Sequence, residues 1–280
     1  MKKNIFISII LCSYNSENFI IKTLNSIINQ SYKHWELIIV DDGSSDNSGN
    51  IIKNFIKLNK NFNIKYYYKN NSGLALSRNF GIKKTTSEWI ALIDHDDIWE
   101  FNKLQVQSDD IIKQPTSYLF FSDFKILKNN KFLYTKFDVC RTKDNFIPSK
   151  LILKKQYAYL NLIKYGCFIG SSTVLFNKKV FDKISFFHSK YKFICDYIFF
   201  MEIAKEYDIF CNNNTLASWS QHQDQTSFKL EKVYFKEMLD LYNSIYFNKT
   251  VNIMTKIIIL KRHLKLLISF YLKKYGKKKF

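Results

Sequence analysis

Short apolar runs alternate with stretches of helical spacing over the first 120 residues. Ile5–Leu11 is almost continuously apolar and of strand length. Between Glu17 and Gln30, Ile20, Leu24, Ile27 and Ile28 recur at helical spacing. Glu36–Val40 is a second apolar run, followed by the turn cluster Asp41-Asp42-Gly43-Ser44-Ser45-Asp46. Ile51, Ile52, Phe55 and Ile56 predict a helix, Ile64–Tyr68 a strand, and Leu74–Lys84 a helix. Trp89–Ile93 reads as a strand, Lys103–Lys113 as a helix and Tyr118–Phe121 as a strand. Strands apolar on both faces must be covered on both. Their alternation with helices predicts an α/β fold with a mostly parallel sheet between helical layers.

The second half is less regular. Residues 123–165 hold short strand-like pieces and a polar loop. Gly170–Phe176 predicts a strand, Lys178–Ile184 a short helix, and Asp196–Tyr207 a longer one. Leu230–Tyr246 and Thr255–Lys274 predict closing helices. No internal repeat or linker interrupts the chain, so the pattern gives one α/β domain with a helical C-terminal appendage.

Met1-Lys2-Lys3 before Ile5–Cys12 imitates a short signal peptide. The apolar run is short and lacks a small-residue cleavage site, so a buried strand is the preferred reading over export. No run reaches the ~18 apolar residues of a membrane span. Five scattered cysteines without a C-x-x-C pair argue against a disulfide framework or a zinc ribbon, and for a reducing compartment.

The formal net charge is +19. Ile, Lys, Asn, Phe and Tyr make up about half of the chain, and the only arginines are Arg78, Arg141 and Arg262. AT-rich codons produce such a bias, so part of the charge reflects composition. A nucleic-acid binder would favour Arg, whose planar fork reads phosphate and guanine. No acidic residue follows Asp240, whereas Lys249, Lys256, Lys261, Arg262, Lys265, Lys273, Lys274, Lys277, Lys278 and Lys279 do.

In an open parallel sheet, ligands bind beyond the carboxyl ends of the strands. The first strand ends in Cys12-Ser13-Tyr14-Asn15, the second in Asp41-Asp42, and the fourth in Asp94-His95-Asp96-Asp97. Carboxylates converging on one edge repel unless a cation joins them. Asp94-x-Asp96, with Asp97 beside it, offers the hard oxygens that suit Mg²⁺ or Mn²⁺; a helix N-cap before Lys103 is the competing reading. His95 points to the opposite side in an alternating strand. Asp41–Asp46 lacks the spacing of a calcium loop and reads equally as an Asx turn. Arg78 fits a phosphate, or else lies on a solvated helix face.

Four segments occur in one order: Ile9–Asn15, Val40–Asp46, Asn71-Ser72-Gly73 with Ser77-Arg78-Asn79-x-Gly81, and Asp94-His95-Asp96-Asp97-Ile98-Trp99. This series resembles the inverting glycosyltransferases of family 2, with the GT-A fold, strongly over residues 5–100 and more weakly over about 165–228. The resemblance implies a nucleotide-sugar half at 1–120 and an acceptor half at 121–228; beyond it, the charge and spacing of the sequence give a basic helical extension at 229–280. It implies a nucleotide-diphosphate sugar donor, with UDP the expected nucleotide. Tyr14 would stack near the base, with Asn15 and Glu17 in the same loop. Cys12 replaces the usual Pro and would act through its backbone. Asp41 and Asp42 would meet base or ribose, and Arg78 the diphosphate. Asp94 and Asp96 stand in the family's D-x-D motif, Asp96 being the leading ligand for Mn²⁺ or Mg²⁺ with Asp97 next to it.

The family's catalytic base is the Asp of a Glu-Asp pair opening a helix. Asp196 keeps that place, whereas Cys195 replaces the Glu; an N-cap or surface acid is the alternative role for Asp196. Gly170-Ser171-Ser172 resembles the acceptor-side loop. His222, in Trp219-Ser220-Gln221-His222-Gln223, matches a position near the diphosphate or metal, or is a plain surface His. The acceptor implied is a glycan or lipid-linked hydroxyl in a bacterial surface-glycan pathway.

Outside the resemblance, Ile257, Leu260, Leu264, Leu267, Ile268 and Tyr271 share one helical face, with Lys261, Arg262, Lys265 and Lys273 on another. That pattern fits a helix lying on an anionic leaflet, with the enzyme cytoplasmic and peripheral on the inner membrane face, or a helix packing its apolar face on the domain. Two other classes compete. A sugar-nucleotide pyrophosphorylase would carry a Gly-rich basic triphosphate loop, which Cys12–Asn18 lacks. A basic nucleic-acid-binding domain would bind with steep salt dependence, and leaves the four ordered motifs unexplained.

Overall fold

The computed structural model describes residues 4–128, 131–144, 146, 148, 151–222 and 230–275. Four parallel strands form its first half in the order β3-β2-β1-β4: β1 (Ile7–Ser13), β2 (Trp35–Asp41), β3 (Ile64–Tyr68) and β4 (Trp89–Asp94). β1 and β2 are buried along their whole length, so the apolar run near the N-terminus is a central strand. Ile7, Ile9 and Leu11 face a core shared with α1 (Ile20–Ile28), α2 (Ser48–Leu58) and α4 (Lys103–Lys113). Ile10 and Cys12 face the other core, beneath α3 (Leu74–Lys84). α3 comes so close that a Cβ on Gly81 would stand 2.8 Å from Ile10 Cγ2.

The register aligns the strand ends. Ser13 pairs with Asp41, and Cys12 with Asp94. The polar segments that follow these strands are therefore neighbours.

The second half adds antiparallel strands to the parallel ones, so the sheet as a whole is mixed. β9 (Leu175–Asn177) runs antiparallel to β4 and to β6 (Leu119–Lys128). Where one strand was expected at 170–176, a 3-10 turn at Ser171–Thr173 comes first. The irregular stretch contains β7 (Lys131–Thr135), α5 (Lys136–Asp144), β8 (Leu151–Leu153) and α6 (Tyr157–Tyr165). A second 3-10 turn covers Lys178–Asp182, and α7 spans Cys195–Glu206. β10 (Ile209–Gln221) runs parallel to β6 and antiparallel to β8 and to the short β5 (Ile98–Trp99).

The closing helices are α8 (Glu231–Tyr246) and α9 (Ile253–Tyr275). Met238, Leu241, Tyr242, Ile245 and Ile259 enter the same core as α6 and α7. The expected junction at 228/229, Gln223, and the lysines at 277–279 lie outside the described residues. The predicted outer stripe of α9 is exposed: Ile257, Leu260, Leu264, Leu267, Ile268 and Tyr271 are 42–62% accessible. Arg262 departs from the wheel, because its Nε donates to Tyr242 Oη at 3.4 Å and the side chain packs inward beside Gly166.

Candidate active site

The loops that follow β1, β2 and β3 are tied to one another by side chains at and just beyond the strand ends. Asp41 is buried; its Oδ1 accepts from Ser44 N–H at 2.9 Å and its Oδ2 from Tyr66 Oη at 2.6 Å. Asp42 accepts from the N–H groups of Ser72 at 3.0 Å and Gly73 at 2.8 Å, and pairs with Lys69. Gly43 makes this possible: its φ is +77°, and a Cβ there would stand 2.7 Å from Asn71 N. Asn15 (φ 47°) accepts from Ser45 N–H at 2.9 Å, and Glu17 from Asn47 N–H at 2.9 Å. Tyr14, next to Asn15, is 47% exposed. Cys12 is buried, and burial pushes its thiol up to about 12. Its carbonyl lies 3.3 Å from His95 Nδ1.

The Asp94–Asp97 turn splits three ways. Asp94 Oδ1 accepts from Arg78 Nη2 at 2.7 Å. Asp96 Oδ2 lies 3.0 Å from His222 Nε2, and the imidazole stacks on Phe19 at 4.0 Å between centroids. The β5–β10 pairing, with Ala217 opposite Trp99, carries His222 back to Asp96. Asp97 turns inward and accepts from Ser172 Oγ, while its Oδ1 has no hydrogen-bond partner. Burial first, then the charges of Asp96 and Asp94, push the Asp97 carboxyl well above the ordinary range.

Among the described residues no three His, Cys, Asp or Glu side chains form a ready metal cage. Mg²⁺ and Mn²⁺ sites of phosphate substrates often need only one or two carboxylates, with phosphate oxygens and waters completing the sphere. Asp96 beside His222, whose buried Nδ1 lacks a partner, fits such a partial set. Asp97, buried against Ser172, is less well placed.

Asp196 is the second residue of α7. Its Oδ2 accepts from Ser171 Oγ at 2.6 Å, and its Oδ1 pairs with Arg78 Nη1. Arg78 is buried and therefore bridges Asp94 to Asp196, with its guanidinium 5.4 Å from the centre of the Phe187 ring. Cys195 is also buried, and burial raises its thiol, so it brings no charge to the helix start.

Two consecutive serines escaped the sequence reading as individual contacts. Ser171 holds Asp196, whereas Ser172 accepts from Asp94 N–H at 3.0 Å and donates to Asp97. The Gly-Ser-Ser signal marked the loop but not this division of labour. Glu237, described below, left no local signal.

A mixed sheet whose parallel strands end in side-chain-tied loops and an acidic turn, with a carboxylate facing that turn from a second half, is the GT-A arrangement of glycosyltransferases. Residues 8–184 match Glycosyl transferase family 2, and the chain belongs to that family. An Escherichia coli relative, UDP-Glc:alpha-D-GlcNAc-diphosphoundecaprenol beta-1,3-glucosyltransferase WfgD, is 30% identical over 83% of this chain and 82% of its own. The fold is similar to S. aureus TarS 1-349 in complex with UDP-GlcNAc: TM-score 0.70, 20% identity, covering 94% of this chain and 73% of that one. The mannosyltransferase PcManGT from Pyrobaculum calidifontis, in complex with GDP-Man and Mn2+, gives a TM-score of 0.62 at 11% identity, covering 92% of this chain and 68% of that one.

Proposed function

We propose that the protein is an inverting glycosyltransferase that moves a sugar from a UDP-sugar to a hydroxyl of a lipid-linked or surface-glycan acceptor. The observation that carries this reading is the Arg78 bridge, which sets Asp196 across from the Asp94-x-Asp96 turn. The E. coli relative, named for UDP-glucose and a diphosphoundecaprenol-linked sugar, supports the choice of donor and acceptor class.

In this reading Tyr14 stacks on the base, with Asn15 and Glu17 shaping its loop. Asp41 and Asp42 hold the loops that meet base and ribose, and the Cys12 backbone lines the floor. Arg78 engages the diphosphate, which competes with both carboxylates for the guanidinium and frees Asp196. Asp196 takes the proton of the acceptor hydroxyl as that oxygen bonds to the anomeric carbon. The bond from that carbon to the diphosphate oxygen breaks on the opposite face, and the configuration inverts. Asp96, with His222 and supported by Asp94, would hold Mn²⁺ or Mg²⁺. A bound ion supplies Lewis-acid stabilisation of the leaving diphosphate.

The exposed apolar stripe of α9 is bordered by Lys256 on one side and by Lys261 and Lys265 on the other. No helix among the described residues is long and apolar enough to cross a membrane. We assign the stripe to an anionic membrane surface, where the lysines meet headgroups and the apolar side chains enter the interface. A cytoplasmic enzyme, peripheral on the inner face, would meet a lipid-linked acceptor there.

A panel of UDP-sugars, assayed for UDP release with Mn²⁺ and with EDTA, tests the reading. Release from one donor with Mn²⁺ and none in EDTA is expected. Full-rate release in EDTA rules out the metal role, and no release from any UDP-sugar overturns the donor class.

A further inference from the structure

The loop entering α7 presents three backbone N–H groups ahead of Asp196, and no local side chain caps the helix. All three donate to one carboxylate on α8. Lys192 N–H meets Glu237 Oε1 at 2.7 Å; Phe193 and Ile194 N–H meet Oε2 at 3.0 and 3.1 Å. Glu237 is only 8% exposed. One turn further along α8, Asp240 Oδ2 accepts from Lys190 Nζ at 2.6 Å and Tyr191 Oη at 3.0 Å. Two carboxylates on successive turns of α8 thus grip residues 190–194.

We infer that Glu237 is a positioning residue for glycosyl transfer: from the closing helices, it fixes the start of α7 and so aims Asp196 at the acceptor hydroxyl. The inference rests on Asp196 being the base. Two of the three N–H groups belong to the loop before α7 and the third to its N-cap, Ile194, where a negative charge also complements the helix dipole. Here that anion arrives from a segment beyond the 8–184 family match. Cys195, buried beside Asp196, brings no carboxylate to the same spot. The closing helices thereby become part of the catalytic geometry.

Glu237→Gln keeps one acceptor oxygen and removes the charge and the second acceptor. A misplaced catalytic group can cost about 10² in rate. Glu237→Gln should therefore lower kcat about 10- to 100-fold, with affinity for UDP unchanged by calorimetry. The decisive readout is a double-mutant cycle with Asp196→Asn, following UDP release from whichever UDP-sugar supports turnover. If Glu237 acts through Asp196, Glu237→Gln costs little further rate in the Asp196→Asn background. An equal loss in both backgrounds, or weakened UDP binding, overturns the proposal. Normal transfer by Asp196→Asn alone overturns the base assignment instead, and is recognised from that single variant. Should Glu237→Gln fail to fold, Asp240→Asn at the exposed end of the clamp enters the same cycle. A kcat loss confined to the wild-type background supports the inference, and no loss or equal losses contradict it.

Discussion

The two sides of the site are held in different ways. On the proposed donor side, Asp41, Asp42, Asn15 and Glu17 each bind backbone N–H groups of loops that follow neighbouring parallel strands. On the proposed acceptor side, Asp196 is fixed by three remote segments: Arg78 of α3, Ser171 of the 3-10 turn, and Glu237 of α8 through the loop it caps. The donor side is built by register, and the acceptor side by convergence. A lesion on the donor side should stay local, whereas one on the acceptor side should spread through shared partners.

The sharpest break of that contrast is at Arg78, which serves both sides. Asp94→Asn and Asp196→Asn each leave it one anion. The double variant leaves a buried guanidinium with neither, and should cost about 3–5 kcal/mol of stability. Urea melts of the four proteins should give a loss in the double variant well above the sum of the singles. A strictly additive result would mean that Arg78 is not the shared element.

Glu36 tests the opposite end of the donor-side strands. Burial opposes its charge, but hydrogen bonds from Lys65, Ser8 and Thr86 outweigh burial and hold its carboxyl down at about 2. A folded-state value below the unfolded one stabilises the protein above the ordinary carboxylate value. That stability is lost as pH falls from about 4.5 towards 2. The contribution is about 3 kcal/mol at neutral pH. Glu36→Gln should flatten the acid limb of a stability–pH profile.

Gly81→Ala probes the seating of α3 on β1. The added Cβ meets Ile10 Cγ2 at 2.8 Å, and overpacking of this kind costs about 1–3 kcal/mol. Thermal melting should show the loss, and UDP affinity should fall with it as Arg78 shifts on the same helix.

The smallest effect on stability is expected on α9. Leu260→Gln with Leu264→Gln removes two exposed side chains of the outer stripe. It should leave melting within about 0.5 kcal/mol per site while weakening sedimentation with anionic vesicles. Unchanged vesicle binding would detach the stripe from the membrane.

The first half was legible because its information is local. A strand buried on both faces must be apolar throughout, as Glu36–Val40 nearly is, and the residues that end it stand at the ligand edge. Asp94 stands out in the same way, at a strand's end, whereas Asp196 is marked only by the family resemblance. The mixed half of the sheet was legible only in part: strands near β6 and β9 are expected from the sequence, but β9 and β5 are two or three residues long, and their direction and partners depend on pairings between distant segments. His222 reaches Asp96 because β10 pairs with β5, a contact between distant segments. Glu237 reads in sequence as an ordinary helical acid, and its burial against three N–H groups depends on where α8 lands. Arg262 was placed with the lysines because a wheel shows spacing but not which side the domain occupies.

Asp196→Asn is the most direct measure of the central claim, that one carboxylate facing the acceptor drives a single displacement. Donor affinity by UDP calorimetry and initial transfer rate are read on the same protein. Affinity should be nearly unchanged while transfer falls about 10²–10⁴-fold, the usual worth of a positioned base. Transfer at the wild-type rate would contradict the account, and loss of UDP binding would place Asp196 on the donor side.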